Sequence, residues 1–285
     1  MENLSDKTPE CERTHASEGS QKIDEDTLDK WLSRYKQEVL NVVLPGQPLI
    51  RNEFMKIEEG YKDECWDAWQ QTLRFKAWNQ SMIGSKSICR ALQQTLDDTE
   101  AIWISRRNGG FKLEEKLIGR QQGIERFERA AYEFYTGDMM PRDFFDEAVA
   151  LLGQQYSVIS HLMFLKDKTT YVPVAPDVFE TGLRKLGVEF YLSGCCSWGS
   201  YTKFLGLLGC LHEKLLEIEP DATLLDAHSI LWIIGSGYWF EGEGAELLAR
   251  IRSGEKTAKV YHPYQWYRSS NRGTCSDVFG GQKMH

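Results

Sequence analysis

The sequence predicts a mainly α protein, a multi-helix bundle-like body in two parts with one short β-hairpin. Three observations carry this expectation. Apolar side chains recur at helical spacing along most of the 285 residues. Nine tryptophans supply the large buried area that helix packing uses. One stretch alone, residues 101–113, has the extended–turn–extended pattern of paired strands.

In chain order, residues 1–24 are polar, acidic and nearly free of large apolar side chains, which predicts a disordered leader. An N-terminal helical part follows over 25–139. Its first helix runs from about Asp26 to Leu44 on the stripe Leu28, Trp31, Leu32, Tyr35 and Val39, and ends at Pro45-Gly46. A second amphipathic helix runs from Tyr61 to about Phe75, with Cys65, Trp66, Trp69 and Leu73 on one face. A third covers Lys86–Leu96. The hairpin comes next, with its turn at Arg-Arg-Asn-Gly-Gly, and then a long helix from Leu117 to Tyr135.

A C-terminal helical domain spans 140–236. Pro141 suits a first helical turn, and the helix it opens closes at Gly153. Tyr156–Leu165 forms a mostly buried helix containing His161. Tyr171–Pro176 is extended, because a residue before proline is pushed out of the helical region, and should strap over the helix surfaces. Asp177–Leu186 is helical, Gly187–Gly194 is a loop or short strand, and Ser197 caps a long helix running to Ile218. The organising stretch is residues 220–235, apolar on most sides and therefore a buried core helix, with the Trp198 helix as its expected partner. Its apolar run is too short for a bilayer, which takes about 20 residues, so no membrane contact is expected. Residues 237–285 form a basic aromatic tail with one short helix near Ala245–Ile251.

The net charge is −8, with the acids concentrated at the leader and the C-terminal domain, so the chain as a whole is not a general polyanion binder. Any contact with phosphate has to be local. Seven cysteines, an odd number without a CxxC pair, fit reduced thiols rather than a disulfide framework or zinc site. The N-terminus lacks the apolar core of a signal peptide, which points to a cytoplasmic protein.

No phosphate loop, dinucleotide fingerprint, HExxH or GxSxG is present. The local candidates are two basic groups. Arg106, Arg107 and Lys112 surround the expected hairpin turn, with Lys116 and Arg120 beyond it. Trp266, Tyr267, Arg268 and Arg272 interleave aromatic faces with cations, a pattern that stacks on bases while neutralising phosphates. Asp226 and His228 form a candidate functional pair, although residues two apart point about 200° away from each other on a helix. Glu217, Glu219 and Asp221 could gather a divalent cation, yet acid-rich helix ends are ordinary surface, and neither a metal nor a cofactor is expected.

Three segments together carry a family likeness: Ser157 to Glu180 with its Val-Pro-Val-Ala-Pro core, Gly194-Cys-Cys-Ser-Trp-Gly-Ser-Tyr, and Thr223-Leu-Leu-Asp-Ala-His-Ser-Ile-Leu-Trp-Ile-Ile-Gly. In this order they resemble a poorly characterised helical domain of bacterial restriction and phage-defence proteins, found beside HNH-type nuclease modules or, in a more distant form, before McrB-like GTPases. The likeness covers residues 140–236. It implies a non-catalytic recognition or regulatory module of such a defence system, contacting nucleic acid, a nuclease or another defence protein. No HNH-like array follows Gly235. The alternatives are a metal-dependent nuclease using Glu217, Glu219 or Asp226, and a Trp-rich scaffold for protein–protein contact.

Overall fold

The computed structural model describes residues 22–43, 60–97, 111–120, 122–194, 196–241 and 243–254. Twelve helices are used below. They are α1 (Glu25–Tyr35), α2 (Gly60–Leu73), α3 (Ser87–Asp97), α4 (Leu113–Ile118), α5 (Gly123–Thr136), α6 (Pro141–Leu152), α7 (Tyr156–Lys166), α8 (Pro176–Lys185), α9 (Trp198–Ile218), α10 (Leu224–Ser236), α11 (Tyr238–Glu241) and α12 (Glu243–Arg252). No strand occurs among the described residues. One hydrophobic core runs through them, from Ile23 to Leu248. No helix among the described residues is long and apolar enough to cross a membrane.

The expected hairpin is corrected where it can be seen. Residues 101–110, with Arg106 and Arg107, lie outside the described residues. The second arm does not pair as a strand: Phe111 and Lys112 are irregular, and Leu113 opens α4. The Gln93 side chain on α3 takes the place of a ladder partner. It accepts from the Leu113 N–H at 2.7 Å and donates to the Phe111 carbonyl at 2.9 Å. The two backbone groups a neighbouring strand would need are therefore satisfied by one amide.

The long helix expected over 117–135 is broken into α4 and α5. Gln122 sits in the left-handed region at φ 51°, and a Cβ at Gly123 would collide with the Leu117 carbonyl oxygen. The kink lets Leu113 and Leu117 of α4 reach the core along with Phe127 of α5. Helix α1 continues through a widened π turn, Lys36–Leu40, and lies against C-terminal elements. The Asp24 N–H donates to the Leu186 carbonyl, Trp31 meets Phe240 edge-on at 5.3 Å, and Arg252 donates to the Glu38 carbonyl at 2.8 Å.

The residue 171–176 segment does not lie over the surface. Val172 and Val174 are fully buried, so the strap threads between helices. The most intimate partner of α10 is α8, with α9 the next. Glycine permits this approach. A Cβ at Gly182 would stand 2.7 Å from the Leu231 carbonyl oxygen, and one at Gly235 would overlap the Val178 carbonyl oxygen. Lys185 then caps the end of α10 by donating to the Ile234 carbonyl at 3.0 Å.

Candidate functional site

Asp226 and His228 point to different tasks. Thr223 and Asp226 form a capping box at the start of α10. The Thr223 hydroxyl accepts from the Asp226 N–H at 3.2 Å, and the Asp226 carboxylate accepts from the Thr223 N–H at 2.5 Å. His228 reaches the strap instead. Its Nε2 lies 3.0 Å from the Pro173 carbonyl oxygen, which can only accept, so this nitrogen carries the proton. Its ring stands edge-on to Phe179 at 4.9 Å.

The strap is held in the interior by hydrogen bonds. Three helices each send it one side chain. The Tyr201 hydroxyl from α9 donates to the Val172 carbonyl at 2.9 Å and accepts from the Val172 N–H at 3.2 Å. Ser160 of α7 accepts from the Val174 N–H at 2.8 Å, and His228 of α10 takes Pro173. An extended backbone can be buried here because its donors and acceptors are met by side chains instead of a neighbouring strand. Burial pushes the Tyr201 phenol well above its ordinary range, so it stays a neutral donor. Next to it on α7, His161 packs edge-on against Trp69 at 4.9 Å, and burial lowers its pKa to about 3.

Beyond Val174 the strap emerges at a cleft of about 510 Å³. Phe111, Lys112, Glu115 and Lys116 form one wall. The turn from α6 to α7, Gln154–Val158, forms another, and Pro176, Asp177, Leu192, Ser193, Gly194 and Cys196 complete it. Gln154 Oε1 accepts from the Cys196 N–H at 2.7 Å, which fixes the amide in place. Ser193 donates to Asp177 at 3.0 Å, and Glu180 accepts from the Leu192 and Ser193 N–H groups, which pins the opposite loop. Helix α7 begins without a side-chain cap, and its first residues, Tyr156, Ser157 and Val158, are on the cleft lining. Burial raises the Cys196 thiol to about 12, which keeps it protonated and a poor nucleophile. The arrangement can bind and orient a polar molecule.

Of the basic residues singled out in the sequence, Lys116 and Arg120 are described, and so is Lys112. It is exposed, at the cleft wall, and pairs with Asp97 at 2.9 Å. Trp266, Tyr267, Arg268 and Arg272 lie outside the described residues, as do Arg106 and Arg107. Glu217 pairs with Lys214 at 3.0 Å, and no group of three metal-ligating side chains occurs among the described residues. Sequence reasoning missed Gln154, Gln155 and Ser157. The available signal was a helix start at Tyr156 preceded by two glutamines and no capping Ser, Thr, Asp or Asn. No family model, curated protein or solved structure matches this chain.

Proposed function

We propose that this chain is a non-catalytic recognition or regulatory module of a bacterial anti-phage or restriction-type defence system, contacting nucleic acid or a nuclease partner. The likeness of residues 140–236 to defence-associated helical domains supplies the setting. The observation that supports recognition is the polar cleft bordered by Lys112 and Lys116, built largely on that same segment. The Asp226 and His228 side chains hold the start of α10 and the strap, which favours a binding role over a reaction at that pair.

The test is binding of the full chain to labelled 20-nucleotide DNA and RNA, single- and double-stranded, across a salt series. Phosphate-dominated binding weakens steeply as salt rises. Charge reversal at Arg106/Arg107 and Arg268/Arg272 should weaken it further. No binding to any of these oligonucleotides at low salt removes the nucleic-acid half of the reading and leaves the nuclease partner. Co-purification with nucleases encoded by neighbouring genes tests that half.

A further inference from the structure

We propose that the cleft between α4, the α6–α7 turn and the segment Leu192–Gly194 with Cys196 is a nucleotide site that accepts one phosphate-bearing nucleotide unit. In its nucleic-acid form this deepens the recognition reading and rests on it. The volume of about 510 Å³ is that of a small-molecule site and is too small for a duplex.

The chemistry of the walls favours an anion with a flat apolar part. Lys116 is exposed and makes no ion pair among the described residues, and Lys112, whose ammonium is paired with Asp97, stands one turn away on the same wall. Gln154 has its oxygen engaged by the Cys196 N–H, which leaves its amide nitrogen to donate. Gln155 and Ser157 add further donors from the adjoining wall. Two acids also stand on the lining. Asp177 is bonded by Ser193 and sits in the first turn of α8, and Glu115 sits in the first turn of α4; both positions are favourable for negative charge without a ligand. Phe111 and Pro176, both half-buried, supply apolar surface of the kind on which a base can rest. A bare phosphate would leave that surface unused.

Isothermal titration calorimetry on the full chain at low salt decides the matter, with inorganic phosphate, the four ribonucleoside monophosphates and a 5′-phosphorylated tetranucleotide as probes. At least one mononucleotide should bind about tenfold more tightly than inorganic phosphate, the added affinity coming from the base. Lys116→Glu and Ser157→Glu should each weaken that binding about tenfold or more through like-charge repulsion. Ser157→Glu also places a carboxylate in the first turn of α7, where the helix dipole favours it, so its thermal unfolding temperature should hold or rise. Lost binding in that variant is then not lost folding.

Tighter binding of the mononucleotide than of the tetranucleotide supports the site and identifies a free nucleotide as its ligand. The reverse order supports the site and identifies a nucleic-acid terminus. Absence of binding by every nucleotide probe at millimolar concentration overturns the proposal, and so does binding that both variants leave unchanged. A 20-mer that binds the variants as well as the parent chain overturns the nucleic-acid form of the cleft assignment and leaves the recognition reading standing. A chain that binds mononucleotide and no 20-mer supports the cleft and removes the nucleic-acid reading.

Discussion

Glu128 is the sharpest point at which the fold can be tested. It is fully buried on α5, and its carboxylate accepts three backbone N–H groups from the segment leading into α3. Gly84 donates at 2.8 Å and Lys86 at 3.1 Å to Oε2, and Cys89 donates at 2.9 Å to Oε1. The carboxylate acts as a cap supplied from α5, beside the Ser85 hydroxyl that accepts from the Ser87 N–H at 3.3 Å, and the α3 dipole favours a negative charge there. In Glu128→Gln one oxygen becomes an NH₂ group. The better flip keeps the carbonyl on Gly84 and Lys86 and sets a donor against the Cys89 N–H. One bond is lost, the other two lose their charge assistance, and the Cys89 N–H and the new NH₂ are left as opposed donors, a cost of about 2–3 kcal/mol or more. Glu128→Ala leaves all three donors unmet and opens a cavity, for about 4–5 kcal/mol. Urea unfolding followed by tryptophan fluorescence measures both. A Glu128→Gln variant within about 0.5 kcal/mol of the parent chain, inside the range of ordinary surface substitutions, would refute the account of Glu128 as the anchor of α3.

Two further predictions concern α8–α10 packing and His161. Gly235→Ala should cost about 3 kcal/mol or more, because the added methyl meets the Val178 carbonyl, a backbone atom that cannot step aside. Gly206→Ala on α9 meets no atom within 4 Å and should stabilise by about 0.5–1 kcal/mol through helix propensity; equal effects at the two glycines in urea unfolding would contradict the close crossing. Burial lowers the His161 pKa to about 3, so the histidine is neutral in the folded chain. Its contribution is complete above the unfolded pKa of about 6.5 and is lost as pH falls from there toward 3. At pH 5 the loss from this group is about 2 kcal/mol. His161→Phe should therefore lose less stability than the parent between pH 7 and 5, and parallel pH profiles for the two chains would argue against a buried neutral His161.

Most helices were legible because each carries a local signal. Ser197 and Thr223 cap α9 and α10 as their side chains suggest, and Pro141 and Pro176 occupy first turns. The misreadings arose where a distant side chain decided the backbone. Nothing within residues 111–113 announces that Gln93 will satisfy their N–H and carbonyl groups. Gly119 and Gly123 were visible, yet an isolated glycine is tolerated within a helix, so the break at Gln122 was not. The strap was read correctly as extended from its two prolines, but its depth depends on Ser160, Tyr201 and His228 converging from three helices. The cleft was hidden for the same reason, since its walls are drawn from three separated stretches of chain.

The strap also links the one histidine of α10 to the cleft. Val172, Pro173 and Val174 are each fixed by a buried side chain, and two residues later Pro176 and Asp177 form part of the cleft wall. The α8 helix that continues from them is held in turn against α10 through Gly182 and Gly235. A change at His228 therefore orphans the buried Pro173 carbonyl and loosens the span whose far end positions Asp177, without touching anything bound in the cleft. Through that connection the Leu-Asp-Ala-His-Ser segment acts by packing. Asp226 fixes where α10 begins, that start sets the position of His228, and His228 holds the strap that reaches the cleft.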